Sequence, residues 1–181
     1  MEIHELTEEE REQMYEQAFK KMNIERKHLS KEELEKEIID YLSKKQACSL
    51  STCGKDEIPR ISVVDYVNEG LTIYIFSEGG DKFKNLKENN KVAVGIGTSA
   101  QTFRSVRGVN IWGIAEVFTE DTPEFVHGMK LFSHIIKDME KEMDTSIEMP
   151  KGLLRMIRVT PTKIVYCHNI KGISNAHWKA K

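Results

Sequence analysis

The stretch 70-GLTIYIFSEGGDKFKNLKENNKVAVGI-96 decides the fold of this chain. It begins with an apolar run rich in β-branched and aromatic residues, and it ends in a second such run, and both are typical of strands. Between them lie two glycines, an acidic residue and three lysines, which predict a turn and then a short helix. We expect Asp81 to be the N-cap of this helix and Lys82 to lie in its first turn.

The turn between the two strands is suited to binding an anion. Backbone N–H groups at a helix start have no partner within the helix, and a nearby ammonium adds positive charge. Ser77 adds a hydroxyl donor at the end of the first strand. The sequence therefore predicts a phosphate site around Ser77 and Lys82. The alternative is a solvated, charged turn without a ligand, which is common in proteins.

Short runs rich in Val, Ile and aromatic residues recur after residue 46. They predict strands at 47–52, 58–67, 71–76, 91–97, 105–118 and 154–167. Gly108 and Gly113 inside the fifth run predict a bulge or bend, which small barrels need. One helix interrupts the strands, with Thr122 as its N-cap and Pro123 at its first position. The pattern indicates a mainly β, α+β fold built around a small antiparallel barrel.

The first 46 residues differ from the rest because their pattern is helical. The segments 7-TEEE-10 and 30-SKEE-33 both match the capping box. They predict helices at about 8–22 and 31–45, and the second carries an apolar face. We therefore divide the chain into an N-terminal helical extension, 1–46, and a barrel domain, 47–181.

The composition argues against several classes of partner and site. Lys plus Arg number 27 and Asp plus Glu 29, so the charge provides no general attraction to nucleic acid or to an anionic membrane. No apolar run approaches the roughly 20 residues of a membrane-spanning helix, and the acidic start does not resemble a secretory signal. We expect a cytoplasmic protein. The three cysteines and six histidines lack metal-site spacing, so no metal is predicted.

The order of four segments resembles the pyridoxamine 5'-phosphate oxidase-like family, the FMN-binding split β-barrels. The segments are 47-ACSLSTCGKDEIPRISVVDYV-67, the stretch 70–96 quoted above, 107-RGVNIWGIAEVF-118 and 157-IRVTPTKIVYC-167. They are similar, in turn, to the family's opening hairpin, its strand–helix–strand, its Gly-x-Ala-Glu strand and its Arg-x-x-Pro-x-x-Ile strand. The resemblance implies a split β-barrel with peripheral helices that forms a homodimer with FMN at the subunit interface.

The resemblance also implies which residues bind FMN. The phosphate is expected near Ser77 and Lys82, and the flavin edge along the backbone of 62–64. Gly108 stands where relatives often carry a polar side chain that reaches the cofactor, so its polar neighbours are candidates for that contact. The expected cofactor-binding set is Arg60, Ser62, Val63, Val64, Phe76, Ser77, Lys82, Arg107, Gly108 and Asn110. No catalytic side chain is implied, because the flavin carries the redox chemistry.

Departures from the family pattern argue against oxidation of vitamin B6. Ser62 occupies the position of an arginine that reaches the phosphate, although Arg60 lies on the same strand face and is a candidate replacement. Asp81 replaces a second arginine, and the family's C-terminal Arg-x-His is missing from 171-KGISNAHWKAK-181. The predicted function is an FMN-dependent oxidoreductase that passes electrons from a reduced nicotinamide or another donor to a small molecule.

Two alternatives remain open at the level of the sequence. The same barrel could be a binding module that holds FMN, haem or deazaflavin without turnover, with His168 or His177 as a haem ligand. His177 is also a candidate proton donor beside the flavin. Trp112 and Trp178 could stack on a flavin ring, although a barrel or interface role is the more common one for Trp112.

Overall fold

The computed structural model describes residues 6–147 and 152–181. Its helices are α1 (Glu8–Lys21), α2 (Lys31–Leu42), α3 (Asp81–Glu88) and α4 (Pro123–Met143). Its strands are β1 (Ala47–Cys53), β2 (Pro59–Glu69), β3 (Thr72–Ser77), β4 (Lys91–Gly97), β5 (Arg107–Thr119), β6 (Arg155–His168) and β7 (Ile173–Lys179). Within the described ranges, no helix combines the length and the apolar character needed to cross a membrane.

The strands form one antiparallel sheet that closes into a barrel. Their order is β3-β2-β1-β4-β5-β6-β7, and β3 also pairs with β6, so six strands close and β7 extends β6. The expected split β-barrel is confirmed. The closure is incomplete on one side, because β3 pairs with β2 only from Tyr66 to Glu69. Residues 59–65 of β2 therefore pair with β1 alone.

The glycine-containing strand β5 has the expected bulge. Its register against β6 shifts between Trp112 and Gly113. A Cβ atom at Gly113 would lie 2.5 Å from the carbonyl oxygen of Thr160, so this close crossing of backbones requires glycine. The bulge lets the two longest strands bend around the barrel together.

The helices cover the barrel in the way that their caps and apolar faces predict. Both capping boxes are present, and Thr122 caps α4 with Pro123 in its first turn. The apolar face of α2 is buried in the same core as the barrel strands; its residues are Leu34, Ile38, Tyr41 and Leu42. The helix α4 packs on a second cluster formed by Tyr74, Phe125, Phe132, Leu154 and Met156.

The strand β7 was not predicted from the sequence. Its residues, ISNAHWK, include only two large apolar side chains, Ile173 and Trp178, and no strict alternation. It exists because β6 offers a free edge to which residues 173–179 pair. The side chain of Trp178 packs against α2, where its Nε1 donates to Glu35 Oε1 at 2.6 Å.

Candidate functional site

The helix α3 begins directly after the two glycines of the predicted anion site. Gly80 is its N-cap and has a φ of 101°, a conformation that glycine adopts without steric cost. The prediction that Asp81 is the N-cap is therefore wrong by one residue. Asp81 is the first helical residue, and its carboxylate pairs with Lys84 Nζ at 2.8 Å. No side chain caps the helix, which leaves this end open to a ligand.

Lys82 lies in the first turn, as expected, and its side chain is nearly buried. The residue is only 9% exposed; its ammonium donates to the carbonyl of Gly79 and lies 5.2 Å from the ring centroid of Phe83. Burial lowers the pKa of Lys82, and the charge of Glu78 partly opposes this. Lys82 forms no salt bridge within residues 6–147 and 152–181. A desolvated cation with one carbonyl partner favours an anionic ligand.

A second face of α3 holds the β1–β2 hairpin in place. Asn85 is 5% exposed and donates from Nδ2 to Thr52 Oγ1 at 3.0 Å. Arg60 donates to Asn85 Oδ1 at 3.3 Å and pairs with Asp56 Oδ2 at 2.7 Å. The hydrogen bond from Arg60 lowers the pKa of Asp56. The structure thus brings Arg60 to α3 one turn after Lys82, but a carboxylate already neutralises it.

The backbone of 62–64 lies on the free edge of β2. Ser62, Val63 and Val64 pair with β1 on one side, and β3 does not reach them on the other. Alternate N–H and C=O groups of such an edge point away from the sheet and can receive a polar ring edge. The Val63 side chain is 77% exposed, whereas Ser62 and Val64 are half-buried.

The residues at the end of β3 divide between two environments. The ring of Phe76 packs against α4, 6.2 Å from Phe125 and 5.9 Å from Phe132 by ring centroids, so this side chain belongs to the second core. Ser77 points to the other strand face and lies opposite Arg155 of β6. The guanidinium of Arg155 lies 5.1 Å from the Phe83 ring centroid.

Arg155 is the cation that sequence reasoning missed. No local motif marks it, because only the β3–β6 pairing brings it to the 77–82 turn. Together with Gly79, Gly80 and Phe83 it lines a cavity of about 460 Å³ along α3; the lysines of this cavity are Lys84 and Lys87, and Lys82 does not line it. Asn85 was missed for the same reason, since its partner Thr52 is 33 residues away in the chain.

The three expected residues of β5 lie on two faces of the strand. Gly108 and Asn110 face outward above a shallow cavity of about 370 Å³. Arg107 faces inward, where its guanidinium lies 5.2 Å from the Tyr41 ring centroid. The structure does not bring these residues to the 77–82 turn within the chain. Val63 and Asn110 are three strand spacings apart, about 14 Å.

An outer sheet face connects β2 with β5. We define it as two registered rows: Val63, Ser49, Gly95 and Asn110, and then Ile61, Ser51, Ala93 and Trp112. Ile61 and Val63 are 72% and 77% exposed. The middle positions of the two rows carry only small residues, namely Ser49, Gly95, Ser51 and Ala93. His177 lies on the same face, because it pairs with Val165, which pairs with Asn110.

The described residues contain no group of three or more His, Cys, Asp or Glu side chains that could hold a metal ion. His168 is 4% exposed and its Nδ1 lies 3.3 Å from the Tyr166 hydroxyl, so this ring is enclosed by the protein. His177 is exposed and contacts Asn175 Oδ1 at 3.1 Å.

Comparisons with known proteins agree with this architecture. A profile of the family described as pyridoxamine 5'-phosphate oxidase matches residues 34–168. A search of the curated proteins found no match. Among solved structures, a protein of Listeria innocua provisionally named as a pyridoxamine 5'-phosphate oxidase is 21% identical, with a TM-score of 0.57 over 75% of this chain and 99% of that one.

Two further solved structures share the fold and differ in the ligand that they are named for. A FAD-binding protein of Mesorhizobium loti is 18% identical, with a TM-score of 0.56 over 71% of this chain and 89% of that one. The haem storage protein of Vibrio cholerae is 15% identical, with a TM-score of 0.54 over the same shares, 71% and 89%. Proteins that share this fold are therefore named for more than one ligand.

Proposed function

Because the chain belongs to the pyridoxamine 5'-phosphate oxidase family, we propose that it binds FMN at the split side of the barrel, with the phosphate on the 77–82 turn. The observation that supports this most directly is the burial of Lys82, which is 9% exposed and forms no salt bridge in the described chain. A phosphate there would replace the lost hydration of the ammonium by a charge-assisted hydrogen bond.

The neighbours of Lys82 complete a suitable phosphate site. Gly79 and Gly80 carry no side chain that would block an approach to the backbone, and a Cβ at Gly79 would meet nothing within 4 Å. Ser77 contributes a hydroxyl, and Arg155 a second positive charge from β6. Arg60 serves a different purpose in this arrangement, since its bonds to Asp56 and Asn85 hold the hairpin against α3.

We propose that the flavin ring lies along the free backbone edge of 62–64 and is completed by a second copy of the chain. Asn110 and Gly108 are about three strand spacings from Val63, too far to contact the same ring edge from one subunit. A partner docked on the outer sheet face could supply its own Gly108 and Asn110. The exposed Ile61 and Val63 and the small residues beside them favour such burial.

The proposed activity is electron transfer from a reduced nicotinamide or another donor to a small-molecule acceptor. FMN, when bound, supplies the hydride and electron chemistry. The chain binds the phosphate through Lys82, orients the ring on the β2 edge and excludes water with the apolar side chains of the interface. No side chain of the site is required to act as a nucleophile or general base.

The binding proposal is tested by titrating the purified protein with FMN and with riboflavin, and by following flavin fluorescence. Lys82→Ala should weaken FMN binding about tenfold or more, since a hydrogen bond between charged groups contributes roughly 1.5–3 kcal/mol. Riboflavin lacks the phosphate, so its affinity should change little. Lys84→Ala is the matched control, because the Lys84 side chain is 82% exposed and pairs with Asp81. Equal losses for both ligands would refute the phosphate role of Lys82.

The activity is tested separately by adding NADH or NADPH to the FMN-loaded protein under anaerobic conditions. Loss of the flavin absorbance near 450 nm, followed by recovery with a quinone or nitro compound, would support an oxidoreductase. If no donor reduces the flavin, the oxidoreductase proposal is refuted. The proposal that the chain binds FMN is then judged by the FMN titration alone.

A haem-binding module is the second candidate, and the position of His177 favours it over other non-catalytic roles. His177 is exposed on the outer sheet face, where its imidazole would be the residue that holds the haem iron. Titration with haemin should then produce a Soret band that His177→Ala shifts or removes. An unchanged spectrum in that variant would exclude His177 as the ligand.

A further inference from the structure

A second cavity, of about 280 Å³, lies at the end of the barrel away from the 77–82 turn. The loop between β4 and β5 and the end of β6 form its walls. Its polar lining consists of Thr98, Thr102, Arg104, Ser105, Arg107 and His168. Two arginines and a histidine therefore line a cavity whose lining contains no Asp or Glu, and it shares no residue with the cavity beside α3.

Arg107, which lines this cavity, forms no salt bridge in the described part of the chain. Its guanidinium lies 5.2 Å from the Tyr41 ring centroid, and its buried Nε has no hydrogen-bond partner in the described part of the chain. The acids of α2 on this side have other partners: Asp40 pairs with Lys44 at 2.6 Å, and Glu37 pairs with Lys171 at 2.6 Å. A buried guanidinium N–H without an acceptor is costly unless a ligand supplies one.

His168 forms the inner wall of the cavity as a neutral ring. It is 4% exposed, and burial, helped by the charges of Arg107 and Lys171, lowers its pKa to about 4. Its Nδ1 lies 3.3 Å from the Tyr166 hydroxyl. When that hydroxyl donates to Nδ1, the ring carries its own proton on Nε2 and can donate a further hydrogen bond without adding charge.

The N-terminal extension holds the outer wall in place. Arg104 Nη2 donates to the Met22 carbonyl at 2.6 Å, and the ring of the adjacent Phe103 packs on Phe19 of α1 with centroids 5.8 Å apart. Thr102 and Ser105 cap each other's backbone and stiffen the loop. The two arginines are therefore positioned before any ligand arrives, which reduces the ordering cost of binding.

We propose that this cavity, the Arg104–Arg107 pocket, binds a small oxyanion group, a carboxylate or a phosphate. Guanidinium groups bind the oxygens of carboxylates and phosphates through paired hydrogen bonds, and the lining offers two arginines and no carboxylate. The volume fits one such group and a few attached atoms. Arg107 then acts as an anion ligand on the inner side of β5, while Gly108 and Asn110 remain available on its outer side.

The proposal is tested by NMR titration of the Lys82→Ala protein with sodium phosphate and, separately, with sodium acetate. Ionic strength is held constant with sodium chloride. The Lys82→Ala background removes the principal cation of the 77–82 turn, so the result does not depend on whether FMN binds there. The His168 imidazole signals, assigned with His168→Gln, should shift in a saturable way with one or both anions. Saturation by phosphate alone or by acetate alone would identify the preferred oxyanion.

Arg104→Gln on the same background should raise the Kd for the anion about tenfold, because one charge-assisted hydrogen bond is lost. Arg11→Gln is the matched control, since Arg11 is also exposed and donates to one backbone carbonyl, that of Leu6. Arg107→Gln should abolish the anion-induced shift of the His168 signals. If that variant does not fold, Arg104→Gln, at an exposed residue, decides the test. The proposal is overturned if neither anion shifts His168 saturably, or if Arg104→Gln binds as tightly as its parent.

Discussion

At the residue scale, burial rather than residue type decides which charged side chains of this protein are expected to bind an anionic ligand. Lys82 and Lys84 are two positions apart on α3, yet Lys82 is 9% exposed and unpaired in the described chain, whereas the Lys84 side chain is 82% exposed and paired with Asp81. Only Lys82 is therefore expected to be stabilised by an anionic ligand. At the other end of the barrel, His168 is buried as well, at 4% exposed, and Arg107 is half-buried.

The burial of His168 makes stability depend on pH. Its pKa is about 4 in the fold against 6.5 as the ordinary value, so between pH 6.5 and 4 the unfolded chain binds more protons than the folded one. This contribution to stability is complete above pH 6.5 and is lost as the pH falls toward 4, up to about 3 kcal/mol.

Urea unfolding of the wild type and of His168→Gln between pH 7 and pH 4.5 measures this contribution. The variant should lose less stability on acidification than the wild type. His28→Gln is the control, because the His28 side chain is 72% exposed. Parallel pH profiles for the wild type and His168→Gln would contradict the assignment.

At the element scale, the long strands β5 and β6 depend on a single glycine where their backbones cross. A Cβ at Gly113 would lie 2.5 Å from Thr160 O and 3.0 Å from Val159 Cγ1. The contact with a backbone carbonyl cannot be relieved by a side-chain rotation. The bulge at Trp112 and Gly113 therefore depends on β6 as well as on β5, although only the glycine of β5 indicates it in the sequence.

Gly113→Ala is therefore expected to lower the free energy of unfolding by about 1–3 kcal/mol through overpacking. Gly97→Ala is the matched control, since Gly97 is also a strand glycine and the nearest atom to its added Cβ is 4.0 Å away. That variant should stay within about 0.5 kcal/mol of the wild type. Equal effects in chemical denaturation would show that the Thr160 contact does not constrain the bulge.

At the scale of the whole molecule, the outer sheet face should determine assembly. Ile61 and Val63 are the most exposed of its large apolar side chains, and they adjoin the backbone edge proposed for the flavin. Covering this face would bury both side chains and bring a partner's Asn110 toward the ring. Assembly and flavin retention are thus expected to depend on the same surface.

Val63→Glu is expected to convert the proposed dimer to a monomer, as measured by light scattering. The same variant should retain less FMN. A carboxylate at this position would be desolvated in the interface without a partner. Val126→Glu is the control, because Val126 is 48% exposed on α4, outside the outer sheet face. A Val63→Glu protein that remains a dimer would place the interface elsewhere.

The sequence by itself determined the features that depend on neighbouring residues. Six of the seven strands, both capping boxes, the Thr122 cap and the first-turn position of Lys82 follow from residues within a few positions of one another. The family resemblance follows from their order. Local chemistry is sufficient for these features because caps, turns and alternation act over one or two turns of chain.

The tertiary structure decided the features that join distant residues. Pairing of β3 with β6 closes the barrel and places Arg155 opposite Ser77, and the free edge of β6 makes a strand of residues 173–179. The same packing buries Lys82 and turns Arg107 toward Tyr41. Desolvation and strand pairing depend on the atoms that surround a residue in space, and the partners Arg155 of Ser77 and Tyr41 of Arg107 lie far away along the chain.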